Sequence, residues 1–95
     1  MQFLAILKLK PETTGDELGP LLKSEASEVW DMQCSGELRS IHYIAGPTGA
    51  VLLLETMDEA TAAGRIRQLP MVARGLLSVE ILALTPFTGF ASLFA

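Results

Sequence analysis

Residues 37–56 read ELRSIHYIAGPTGAVLLLET. Two runs rich in Ile, Leu, Val and Tyr, residues 37–45 and 50–56, flank the turn-forming GPTG, which is the pattern of a β-hairpin. Sequence with a different period lies on either side. Upstream, Leu22, Ala26, Val29, Trp30 and Gln33 recur at helical spacing and predict a buried stripe, with Glu25 at its border. Thr14-x-x-Glu17 has the form of a capping box. Proline deep inside a helix loses a hydrogen bond and clashes with the preceding turn, so the continuous helix is placed from Pro20 to about Cys34, with Gly36 as its stop. Downstream, Thr56-x-x-Glu59 predicts a second capped helix running to Leu69, where Pro70 stops it, with Ala62, Ala63, Ile66 and Leu69 facing inward.

The outermost segments return to strand character. Residues 2–10, QFLAILKLK, set Phe3, Ala5, Leu7 and Leu9 on one face and Leu4 and Ile6 on the other. Within residues 75–84, GLLSVEILAL, Leu77, Val79, Ile81 and Ala83 alternate against Leu76, Leu82 and Leu84. The order is βαββαβ, the α+β arrangement called ferredoxin-like. Right-handed crossovers then give an antiparallel sheet ordered 4-1-3-2 with both helices on one face. The apolar residues on the other face predict cover from a second chain, and the tail PFTGFASLF, within residues 86–95, predicts a segment that packs on that chain.

Composition narrows the function. Ninety-five residues make one domain, and 49% apolar against 19% charged residues predicts a packed core. The net charge of −4 and the absence of a basic stripe disfavour a nucleic-acid partner. No apolar run approaches the roughly 20 residues that span a bilayer, and the basic residues Lys8 and Lys10 follow the first apolar run, unlike a signal peptide. A single cysteine, Cys34, fits the reducing cytoplasm, which is the expected location. One histidine and one cysteine do not make a structural zinc site, so no metal is expected.

Several features in order, Gly36-x-x-Arg39, the glycine turn at Gly46, Leu69-Pro70, Glu80 in VEI and the PFTGF tail, resemble the muconolactone isomerase-like family of dimeric α+β barrels. The resemblance covers nearly the whole chain and is nearer to uncharacterised members, since residues 42–43 are His-Tyr and the ending is PFTGFASLF. It implies a homodimer or larger homo-oligomer and a small-molecule pocket between sheet and helices in each protomer. It also implies that no cofactor is needed. Glu25 matches a glutamate that the family carries on its first helix.

Five residues are candidates for the chemistry. His42 is the one side chain whose ordinary pKa lies near neutrality, and Glu25, if buried by the stripe, is a second proton carrier. Each has a structural alternative, His42 as a hydrogen-bonded strand residue and Glu25 as a solvated helix carboxylate. Arg39 suits bidentate binding of a carboxylate, Tyr43 shares its strand face, and Trp30 is placed to wall a pocket. Alternation puts Arg39 and Tyr43 opposite His42, so one pocket does not easily hold all three. His42 and Glu25 meet only if Leu38, Ser40, His42 and Ile44 form the helix-facing side. Glu80 stands three strand spacings, roughly 14 Å, from His42 in the expected sheet, so only a partner chain or a bend brings them together. Two functions are compatible with these residues: a cofactor-independent isomerase-like or cyclase-like enzyme acting on a lactone or other small oxygenated ring, and a non-catalytic binding or assembly module. An open pocket lined by His42 or Glu25 favours the enzyme, and a pocket filled by large apolar side chains favours the module.

Overall fold

The structure, a computed structural model, describes residues 1–46 and 48–95. Pro47, in the predicted GPTG connection, lies outside the described residues. Strands β1 (Gln2–Leu9), β2 (Leu38–Ile44), β3 (Gly49–Glu55) and β4 (Leu77–Leu84) form one antiparallel sheet ordered β2-β3-β1-β4. Read from the other edge this is the predicted 4-1-3-2, and the α+β class and split βαβ order are as expected.

The first helical region differs from the expected single helix. Helix α1 (Gly15–Leu18) forms one turn, with Glu17 Oε1 accepting from the Thr14 backbone N–H at 3.0 Å. A 3-10 turn over Gly19–Leu21 carries Pro20, and α2 (Leu22–Ser35) follows. Proline is tolerated because it falls at the junction of two helical pieces, where its missing N–H costs no interior bond. Gly36 ends α2 at φ 83, a left-handed conformation that glycine adopts without steric cost.

The second helix is capped two residues later than its sequence predicts. The cap of α3 (Glu59–Arg67) is Asp58, whose carboxylate accepts from the Thr61 N–H at 2.8 Å. Thr56 is buried and donates its hydroxyl to the Asp58 carbonyl instead. Pro70 stops that helix and starts another: Leu69 is extended, and α4 (Pro70–Ala73) begins with the proline at its first position.

The core lies between the helices and one sheet face. Phe3, Ala5 and Leu7 of β1, Leu52 and Leu54 of β3, and Leu38 pack against Met32 of α2, Ala62 and Ile66 of α3, and Leu69. Met32 is the one fully buried residue of α2, whereas the stripe predicted to be buried leaves Leu22 and Trp30 exposed. The opposite sheet face carries Leu4, Ile6, Val51 and Leu53, all half-buried, and Leu82, which is exposed. Past β4 the chain makes a 3-10 turn, Gly89–Leu93, with Phe87, Phe90, Leu93 and Phe94 all exposed.

Register fixes which side chains share a face. Leu38 pairs with Leu54 but Ser40 pairs with Leu53, so two steps along β2 match one step along β3. This bulge at Arg39 inverts the alternation of the strand. Leu38 therefore lies with the core, Ser40 and His42 emerge with Leu53 and Val51 on the uncovered face, and Ile41 and Tyr43 follow Leu52 and Ala50 toward the helices.

Candidate functional site

A cavity of about 790 Å³ opens between α2 and the helix-facing side of the sheet. Its floor is Leu7, Ala50 and Leu52, and one wall is the predicted α2 stripe: Leu22, Glu25, Ala26, Val29, Trp30 and Gln33. These residues share a helix face because of their three- and four-residue spacing. The stripe is mostly apolar, as its periodicity predicts, but this face borders a cavity instead of packed side chains. Around the mouth, Leu22, Trp30 and Tyr43 are 59%, 65% and 86% exposed, so the rim is apolar and uncovered in the single chain.

Glu25 is the carboxylate in this wall. Its Oε1 accepts from the Met71 backbone N–H at 2.9 Å. That N–H belongs to the first turn of α4, where no helical acceptor exists, and the turn is there because Pro70 is pre-set for a first helical position. Burial pushes the Glu25 carboxyl above the ordinary carboxylate value of 4.5, the Met71 bond opposes the shift, and the charge of Glu28 adds to it. Glu28 is itself tied outside the cavity, where Arg65 Nη1 lies 3.3 Å from its Oε2 and Arg65 Nε lies 3.2 Å from Glu37 Oε1.

The other predicted residues separate. Trp30 and Tyr43 line the cavity. His42 borders it from the edge strand, but register carries its side chain to the face of Val51, away from α2. The bulge keeps Leu38 and His42 off a common face, so the condition for His42 to meet Glu25 is not fulfilled and the two do not form a facing pair. Arg39 is exposed at the bulge and is not among the lining residues; its charge helps hold the Glu55 carboxyl below its ordinary value, after the larger effect of the N-terminal ammonium. Among the described residues no group of three or more His, Cys, Asp and Glu side chains is arranged to hold a metal. The partner that sequence reasoning missed is the Met71 N–H. Leu69-Pro70 contained its signal, since a proline that ends one helix also suits the first turn of the next.

No family model matches the chain, and no curated protein matches it in sequence. Solved structures do match. Muconolactone isomerase superposes with a TM-score of 0.76 at 19% identity, over 93% of this chain and 92% of that one. The 5-chloro-2-hydroxyhydroquinone dehydrochlorinase of Burkholderia phenoliruptrix AC1100, in complex with 2,5-dihydroxybenzoquinone, gives 0.71 at 15% identity over 94% and 98%. The protein therefore has the muconolactone isomerase-like fold that its sequence resembles. At these identities the likeness is one of fold.

Proposed function

We propose that the protein is a cofactor-independent isomerase-like or cyclase-like enzyme that moves a proton on a lactone or other small oxygenated ring, and that it works as a homodimer or larger homo-oligomer. The observation that carries this reading is Glu25, a carboxylate with a raised pKa in the wall of an open, otherwise largely apolar cavity. A carboxylate so placed is a stronger base than one in water, and as an acid it still holds protons closer to neutrality. One residue then suffices for a shift along an allylic system. Glu25 removes a proton from the carbon beside a ring carbonyl, the electron pair delocalises onto the carbonyl oxygen, and the same carboxyl returns the proton two carbons further along. No redox partner is needed, and atoms and charge balance. Trp30 and Tyr43 offer aromatic surfaces for the ring. The two fold neighbours, by name an isomerase of a lactone and a dehydrochlorinase of a hydroxylated ring, support a ring substrate. An open cavity also speaks against an assembly module whose pocket is filled.

The test is Glu25→Gln, which keeps shape and an acceptor for the Met71 N–H but carries no transferable proton of the right acidity. Turnover of a butenolide followed by ultraviolet absorbance should fall by roughly 10²–10⁴-fold. Unchanged turnover in a folded variant overturns the assignment.

A further inference from the structure

We infer, resting on that proton-transfer reading, that the cavity takes an uncharged ring and discriminates against one bearing a carboxylate. The ground is the set of charges that reach it. Among the residues lining the cavity there is a carboxylate, Glu25, and no lysine or arginine. The seven basic residues of the chain are placed elsewhere. Arg65 is engaged by Glu28, Glu37 and Gln68. Arg39 stands at the bulge and Lys8 pairs with Gly49 and Ser78 in the row facing away from the helices.

Neutral donors do not supply the missing positive charge, and two of them are out of reach. The Met71 N–H is occupied by Glu25, and the His42 side chain is carried to the other sheet face. A carboxylate inside this wall would lose water without gaining a cation and would stand near Glu25, with Glu28 adding negative potential behind it. A neutral ring meets none of these costs. Its carbonyl or hydroxyl groups have the Gln33 amide and the Tyr43 phenol within the same wall, and its faces have Trp30. The substrate class is thus a neutral lactone, enone or hydroxylated ring without an acidic substituent.

The experiment compares two probes, γ-methyl butenolide and the same ring bearing a γ-carboxymethyl group, by ligand-observed NMR titration and by conversion at neutral pH. The wild-type protein should bind the neutral ring at least about tenfold more tightly, as expected for one uncompensated charge at short range. Glu25→Gln should shrink that ratio, and Gln33→Arg, which adds a cation to the wall, should reverse it. Equal or tighter binding of the carboxylate by wild-type protein overturns the inference, and its Glu25-dependent conversion would leave the proton-transfer reading standing. Selective binding of the neutral ring without conversion of any ring upholds the charge selection and overturns the catalytic reading. Binding of neither ring overturns both.

Discussion

His42 and Glu80 stand on one transverse row of the uncovered sheet face, at its two opposite edges, with Val51 and Ile6 between them. Within one sheet they are three strand spacings apart, roughly 14 Å. A second copy laid on this face about a two-fold axis parallel to the strands reverses the strand order while keeping the rows level. His42 then faces the partner's Glu80, and the apolar middle of each row meets its counterpart. An axis across the strands sets β2 over β2 and brings like charges together. In a Cys34→Ser background, a mixture of His42→Cys and Glu80→Cys chains should be joined by a bis-maleimide of about 10 Å reach, the usual distance between packed sheets. Joining of His42→Cys chains to each other instead would identify the other axis.

The pH dependence of stability follows from Glu25. Its folded pKa is raised by burial, so over the window between its unfolded and folded values the native state binds more protons than the unfolded chain. Stability is therefore greatest below the ordinary value of 4.5 as far as this group is concerned, and it declines as pH rises through the folded pKa. Glu25→Gln should remove this part of the slope in denaturant titrations at several pH values. In the wild-type rate profile, the acid limb for a Glu25 base should lie above the ordinary carboxylate range; a limb at 4.5 or below would mean that the ionising group is not this one.

Gly49, the first residue of β3, lies close against the backbone of β1. A Cβ built there would overlap the Leu7 carbonyl oxygen, a backbone atom that does not rotate away. Gly49→Ala should cost at least about 1 to 3 kcal/mol, the usual range for forcing extra atoms into packed space. Urea unfolding measures it, and an unchanged midpoint would contradict the close approach.

Phe87 and Phe90 stack edge to face with ring centroids 4.8 Å apart, so the tail has local order although its aromatic side chains are exposed. Deletion of residues 87–95 should shift the protein toward smaller species in sedimentation and leave its unfolding as a monomer little changed. Each phenylalanine buried on a partner would contribute about 1.5 to 3 kcal/mol to association. A truncated chain that assembles as tightly as the full one would separate the tail from the interface.

Most of the fold was legible because period and punctuation agreed: Pro20, Gly36 and Pro70 mark element ends or junctions, and the central strands β1 and β3 alternate. The site was legible in half. Glu25 stood out as a carboxylate beside an apolar stripe, and Trp30 and Tyr43 were assigned to the pocket they line. Which way His42 faces is not decided by alternation, and a bulge leaves no mark in residue types when the residues around it, Leu38, Arg39 and Ser40, all suit a strand. The bond between Glu25 and Met71 was hidden for a different reason. It joins positions 46 residues apart, and only tertiary packing decides that they meet.

The extra residue in β2 also uncouples the length of this strand from what it shows to the cavity. Beyond the bulge Ser40, Ile41, His42 and Tyr43 are held by Leu53, Leu52, Val51 and Ala50, so loss of Arg39 would close the bulge without turning any of them over. Tyr43 would stay at the cavity and His42 on the outer face. A codon can thus be gained or lost at this point with the pocket intact, which makes the bulge the place where the strand is free to vary in length.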